Sequence, residues 1–431
     1  MSIKEMAKNA KHASIQMAGL NSQQKNNALK LIAEALIEKK NAILKANTID
    51  LERSEKENLE LPLLKRLKFD LDKINLVVEG INSLILLEEP VGKTLLSTEI
   101  DTGLELYKVS CPIGVIGIIF ESRPDALVQI AALCLKSGNA VLLKGGSEAK
   151  ETNKILAEVI EEASYKAGIP RGWIQLLETR EDVSAMLKED ESIDLIIPRG
   201  SNSFVKYIME NSNIPVMGHA DGICHCYVDS QADMQKALNI VLDSKTQYVA
   251  VCNATETLLI HQEAAKQFLP AIRDEFIKFN VEIYGCEKTA AIIDCNLADE
   301  TTYKTEYLDY GISIKVVESM EEAIEHINKY GSGHTDAIIT ENMEKAELFM
   351  TLVDSGNVFL NCSTRFSDGL RYGFGAEVGV STNKIHARGP VGLEGLLIYK
   401  YKLIGKGHIV KDYAEGSKHF THKSLNKPFS L

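Results

Sequence analysis

No apolar run in the 431-residue chain approaches the roughly 18 residues that a membrane-spanning helix needs. The amino-terminal Met1-Ser2-Ile3-Lys4-Glu5-Met6 is polar and helix-like, without the apolar block of a signal peptide. A soluble, cytoplasmic protein is the expectation. Positive charge is also short: 48 Lys and Arg stand against 60 Asp and Glu, a net charge of −12. Such a chain lacks the broad basic face that a phosphate backbone needs, so nucleic acid is not an expected partner. The eight cysteines, Cys111, Cys134, Cys224, Cys226, Cys252, Cys286, Cys295 and Cys362, are too dilute for a disulfide framework and read as reduced thiols. Cys224-His225-Cys226, with His219 upstream, is the tightest group. No second chelating pair lies near it, so no metal site is expected and buried strand cysteines are the ordinary reading. Repeats and low-complexity segments are absent.

What is present is an ordinary globular composition, 45% apolar and 25% charged, long enough for two large domains or three smaller ones. The first 90 residues carry apolar positions at helical spacing, including Ala28, Leu31, Ile32, Ala35 and Leu36. Val91 to Val109 alternates between turns, as in a projecting two-stranded ribbon. From Ile113 the text changes to strand–helix alternation. Strands are expected at Ile113 to Phe120, Ala140 to Lys144, Trp173 to Leu177, Ile193 to Ile197 and Ile214 to Met217. Helices are expected from a cap at Asp125 to Leu135, ended by Gly138-Asn139, over Ser147 to Ala167 and over Ser201 to Asn211. A second block adds helices at Gln262 to Lys278 and Met320 to Tyr330. Its strands fall at Ala290 to Ile293, Ile312 to Val317 and Ala337 to Thr340. Gly356 to Gly395 reads as glycine-rich loop and Leu396 to Ile404 as a last strand. Alternation of this kind implies parallel sheets covered on both faces.

Two nucleotide signatures fail. Gly92-Lys93-Thr94 lacks the earlier glycine of a phosphate loop, and no G-x-G-x-x-G follows a strand. Two other turns can hold anions. Arg199-Gly200-Ser201 joins a strand to a helix start, where backbone N–H groups and the helix dipole favour negative charge. Lys144-Gly-Gly-Ser147 also follows a strand and adds a cation and a hydroxyl. Cys252 stands between helical and strand-like text, where unpaired N–H groups could activate a thiol; buried core cysteine is the competing reading for each of the eight. Ser363 and Arg365 lie in a loop suited to a carboxylate, which a planar guanidinium grips in two places.

Several longer blocks stand together in order: Cys111-Pro-Ile-Gly-Val-Ile-Gly-Ile-Ile-Phe-Glu-Ser-Arg-Pro124, Lys144-Gly-Gly-Ser147, Pro198-Arg-Gly-Ser-Asn202 and Gly218-His-Ala-Asp-Gly222. Cys252-Asn-Ala-Thr-Glu256, Gly331-Ser-Gly-His-Thr-Asp336, Arg365-Phe-Ser-Asp-Gly369, Gly375-Ala-Glu377 and Arg388-Gly-Pro-Val-Gly392 follow. On these residues the chain resembles the γ-glutamyl phosphate reductases, a branch of the aldehyde dehydrogenase superfamily, over nearly its whole length. The resemblance implies an α/β fold with two Rossmann-like domains, parallel sheets and a β-ribbon oligomerisation arm. An NADPH-binding domain would take residues 1–90 and 112–222, a thiol-bearing catalytic domain 223–390, and the arm with its carboxyl-terminal strand 91–111 and 391–431.

It also implies NADPH-dependent reduction of L-glutamyl 5-phosphate to L-glutamate 5-semialdehyde with release of phosphate, the second step of proline synthesis from glutamate. Cys252 is then the nucleophile; Asn253, Ser122 and the Cys252 N–H are the candidates for holding the oxyanion. Lys144 and Glu306 take the cofactor riboses, with Ser147, Arg199, Gly200 and Ser201 completing that site. Arg123, His219, Ser363 and Arg365 fall to the substrate. A homo-oligomer is implied, with glutamate 5-kinase as a partner the resemblance leaves open. Hydrolytic members of the superfamily carry a glutamate base about where this chain has His219. A hydrolytic NAD(P)-dependent aldehyde dehydrogenase is the alternative, and that replacement weighs against it.

Overall fold

Ala7, Ala10 and Ala13 recur on one face of the first helix, Ile3–Met17, and all three are fully buried. Small side chains let that helix lie close against the strand Ala140–Lys144. In the computed structural model, which describes residues 1–121, 123–219, 221–374 and 376–430, the first 90 residues form five helices. Ser2 with Glu5 and Asn21 with Gln24 close reciprocal capping boxes on the first two.

The helices Ser22–Glu38 and Lys40–Lys56 pack on Lys150–Lys166. That last helix has no side-chain cap of its own. Asp50, fully buried, supplies one from across the core. Its carboxylate accepts the N–H groups of Glu151 at 3.2 Å and Thr152 at 2.8 Å and the Thr152 hydroxyl at 2.7 Å. Arg53 pairs with it at 2.6 Å. A carboxylate at a helix amino terminus gains from both the orphan donors and the dipole. Asp50→Ala is expected to cost about 3 kcal/mol, since charged hydrogen bonds are worth roughly 1.5–3 kcal/mol each and do not add fully. Chemical denaturation measures it; a loss below about 1 kcal/mol would remove the capping role.

Four fully parallel strands form the first sheet, in the order Ile174–Leu177, Ala140–Lys144, Val115–Ile119 and Leu195–Pro198. Val115–Ile119 and Ala140–Lys144 are buried at every position, as a sheet covered on both faces requires. A seven-stranded parallel sheet follows, ordered Asn296–Leu297, Glu282–Gly285, Gly311–Val317, Thr255–His261, Cys224–Val228, Thr335–Ile339 and Asn357–Leu360. The arm is an antiparallel sheet in which Leu104–Pro112 lies between Leu397–Ile404 and Thr94–Asp101, with Lys423–Ser424 on the outer edge. Among the described residues no helix is long and apolar enough to cross a membrane.

Some expectations change. Asp125 is not the cap of Pro124–Ser137: Arg123 is, because Pro124 fits the first helical position, and Asp125 faces Lys73 at 3.6 Å from inside the first turn. The helix ends as expected at Gly138, which adopts φ 75°. Ala290 to Ile293 is no strand; Glu287–Ala290 is a short helix, and the strand is Glu282–Gly285. A run as short as Ala-Ala-Ile-Ile carries no period that separates the two. Ile214 to Met217 reduces to a single bridge between Val216 and Ile196. The stretch from Gly356 hides the edge strand Asn357–Leu360. Val378, from the span 223–390 read as the catalytic domain, and Val391 and Leu393, from the span read as arm, all pack in the first core.

Candidate active site

Register brings the sequence motifs together. Ile119 lies between Lys144 and Pro198 in the first sheet, so the loops to Arg123, Gly145 and Arg199 leave from one carboxyl edge. Open parallel sheets bind ligands at that edge. In the second sheet Cys224 pairs with Thr255 and His225 with Asp336, which sets Cys252 and His334 side by side at the amino ends of three strands.

Cys252 occupies a turn ahead of Thr255–His261 and is half-buried. Its carbonyl accepts the Cys224 thiol at 3.1 Å. Gly222 packs so close to the Cys252 backbone that a Cβ there would collide with it. Burial pushes the thiols of Cys111, Cys134, Cys224, Cys295 and Cys362 up, and that of Cys226 up to about 11. A protonated buried thiol is inert, which sets these apart from a nucleophile. A ring nitrogen of His219 and one of His334 lie with Cys252 Sγ, all within 4.8 Å of one another. His334 was quoted within a motif, but nothing in the sequence gave it a role, because strand register alone brings it to the thiol.

Two arginines are electrostatically coupled to the thiol. Arg199 is lowered from its ordinary value by burial, and its charge interacts with Glu377, Arg123 and Cys252. Its turn, expected at the cofactor, is thus also electrostatically coupled to the thiol. Arg365 is buried, donates from Nε to Gln247 at 3.0 Å and also interacts with Cys252. Burial raises the Glu377 carboxyl while Arg199 opposes the rise, and the Gly369 N–H donates to it at 2.8 Å.

Other expected residues have different tasks. Asn253 donates its amide to the Ser367 carbonyl at 2.8 Å, so it ties a loop and does not aim that donor at an oxyanion. The Ser363 hydroxyl accepts the Arg365 N–H at 3.2 Å and the Ser244 hydroxyl at 3.2 Å, which makes it a buried cap and not a substrate contact. Ser122 lies outside the described residues. Glu306 accepts from Asn202 at 2.7 Å, and Asn202 also donates to Asp221 at 2.7 Å, so one amide ties the Ser201 turn to the second sheet's side. Ser201 forms no side-chain cap bond to its helix, which leaves the first N–H groups of Asn202–Asn211 available.

Sequence reasoning missed the ion pair below the thiol. Lys245 donates to Glu256 at 2.5 Å with both side chains fully buried. Burial lifts the Glu256 carboxyl to about 7 against the pull of Lys245, and the Leu308 N–H reaches it at 3.3 Å. That contact anchors the segment carrying Glu306.

Beyond Lys144 a small open pocket is lined by Gly145, Gly146, Ser147, Lys150, Asn153 and Lys154, among others. A Cβ on Gly145 would strike Asn153, and one on Gly146 would strike the Glu148 carboxylate, so both glycines keep the loop close. Asn153 Oδ1 is buried without a partner among the described residues. An acceptor waiting for a hydroxyl, the ammonium groups of Lys150 and Lys154 and exposed backbone suit a phosphorylated ribose.

Two parallel sheets with a thiol between them and a ribbon arm define the class: the chain belongs to the aldehyde dehydrogenase family, whose signature matches residues 1–289 and 291–377. It is an oxidoreductase, and one that uses a nicotinamide cofactor. Its relatives within that family are γ-glutamyl phosphate reductases. It is 68% identical to that of Acetivibrio thermocellus over 431 residues, the full length of both chains. To that of Ruminiclostridium cellulolyticum it is 66% identical over 427 residues, 99% of each chain. The crystal structure of γ-glutamyl phosphate reductase from Thermotoga maritima matches with a TM-score of 0.93 and 41% identity, covering 95% of this chain and 100% of the other.

Proposed function

We infer that the protein reduces L-glutamyl 5-phosphate to L-glutamate 5-semialdehyde and phosphate, the second step of proline synthesis from glutamate. The observation that supports this reading is a thiol grouped with two imidazoles and electrostatically coupled to Arg199 and Arg365, with His219 about where the resemblance puts the carboxylate base of hydrolytic relatives. Such a site favours an anionic acyl donor and withholds activated water from the acyl-enzyme.

The Cys252 sulfur attacks the acyl carbon. A C–S bond forms, the C–O bond to phosphate breaks, and phosphate leaves with the electron pair. The thiol proton passes to an imidazole nitrogen, His219 or His334. Arg199 and Arg123 neutralise the leaving phosphate, and Arg365 holds the α-carboxylate. The Cys252 N–H stabilises the oxyanion. When bound, NADPH supplies the hydride that reduces the thioester. Collapse of the oxyanion then expels the thiolate and releases the aldehyde. Phosphate-dependent NADP reduction by L-glutamate 5-semialdehyde tests the activity in reverse.

Lys144, Ser147, Lys150 and Lys154 would hold the adenosine ribose and its 2′-phosphate, with the Gly200-Ser201 turn on the pyrophosphate and Glu306 on the nicotinamide ribose. NADPH is therefore preferred over NADH. Lys144→Ala is expected to weaken NADPH about tenfold or more and NADH far less, because only NADPH has the charge-assisted contact. Fluorescence titration of both cofactors measures this; equal losses would move Lys144 to the shared ribose. The edge strand Leu397–Ile404 exposes Tyr399, Tyr401 and Leu403, which supports a homo-oligomer built by strand pairing. The enzyme works in the cytoplasm on a small-molecule substrate.

A further inference from the structure

The reaction above needs one imidazole at most to move the thiol proton, yet two stand there. Their rings meet edge to face, with centroids 4.9 Å apart at 72°. Each is held from behind. His219 Nδ1 lies 2.9 Å from the Val380 carbonyl oxygen. A carbonyl only accepts, so Nδ1 carries the proton and Nε2 keeps a lone pair, the tautomer of a metal ligand with its carbonyl support. His334 Nδ1 lies 2.8 Å from the Thr335 hydroxyl. Its Nε2 has no partner among the described residues, although the side chain is only 1% exposed. A buried ring nitrogen without a partner costs free energy unless something fills the position.

We propose that Cys252, His219 and His334 form a three-ligand site for a borderline-soft divalent cation such as Zn²⁺, whose binding reversibly silences the thiol. One thiolate and two imidazoles suit zinc and not the oxygen-seeking Mg²⁺ or Ca²⁺. In a tetrahedral site with Zn–S near 2.3 Å and Zn–N near 2.1 Å, ligand atoms stand about 3.5 Å apart. The three atoms here, all within 4.8 Å of one another, close to that spacing with side-chain movements of about 1 Å. The fourth corner opens toward the cleft and takes water. On binding, the thiol proton is released to solvent and nothing is oxidised or reduced. The charges of Arg199 and Arg365, both felt at Cys252, oppose the cation, and Glu377 beside Arg199 offsets one of them. The ion is thus a dissociable inhibitor, and the site stands whatever acyl group the thiol accepts. The ligands come from three separate segments, so no chelating spacing marks them in the sequence.

The test uses the full chain stripped by chelator and dialysed against Zn²⁺ or Mg²⁺, with bound metal measured per chain. Iodoacetamide labelling of Cys252 is followed by peptide mass spectrometry. One Zn²⁺ per chain is expected at this site, absent in Cys252→Ser and bound at least tenfold more weakly in His219→Ala and His334→Ala. Zn²⁺ should slow alkylation of Cys252, and Mg²⁺ should not. Undiminished zinc binding in Cys252→Ser or in the histidine variants would overturn the proposal, as would unchanged labelling with Zn²⁺ present. Circular dichroism checks folding; if the buried His334→Ala does not fold, the more exposed His219→Ala decides alone.

Discussion

Cys252→Ser is expected to lower turnover by roughly a thousandfold or more while leaving the fold and cofactor binding intact. A serine hydroxyl near its free pKa is a far weaker nucleophile than a thiolate, and an alkoxide is a poorer leaving group when the reduced adduct collapses. The hydrogen bond from the Cys224 thiol is kept, since it goes to the carbonyl of Cys252 and not to its sulfur. The Lys144 cavity lies at the edge of the other sheet, so NADPH titration should be nearly unchanged. Cys134→Ser and Cys295→Ser should keep the chemistry whatever they do to packing. The steady-state rate of NADPH oxidation by the acyl phosphate distinguishes these variants, and substantial turnover in Cys252→Ser would remove the covalent mechanism.

Inorganic phosphate should be obligatory in the reverse direction. With L-glutamate 5-semialdehyde, NADP and no phosphate, each subunit should form one NADPH and then stall as the glutamyl thioester. Added phosphate should restore continuous turnover by taking the acyl group. The family resemblance puts His219, whose Nδ1 is bound to the Val380 carbonyl, about where hydrolytic members carry a glutamate base. With His334 also at the thiol, the site holds two imidazoles able in principle to activate water. Sustained phosphate-independent oxidation to glutamate would mean that one of them does, and the hydrolytic alternative would then stand.

The fold was legible where the sequence is long and periodic. The buried runs Val115–Ile119 and Ala140–Lys144 read as central parallel strands and are such. Gly138 announced a helix end that the left-handed backbone requires. Short elements were opaque: Ala290 to Ile293 was taken for a strand because four apolar residues carry no period. At the site, the long blocks gave the residue types but not their directions. Arg199 reads from its turn as a cofactor contact, and its charge is also coupled to Glu377 and Cys252, which no local spacing shows. Ser363 looked available and is consumed by the Arg365 N–H. His334 and the Lys245–Glu256 pair owe their importance to strand register and burial, and neither is written in local spacing.

The most direct test of the account is mass spectrometry of the stalled enzyme, quenched after one turnover with semialdehyde and NADP in the absence of phosphate. A single glutamyl adduct on the peptide carrying Cys252, discharged by phosphate and absent from Cys252→Ser, is the predicted result. No adduct after a full equivalent of NADPH has formed, or an adduct on another cysteine, would contradict it.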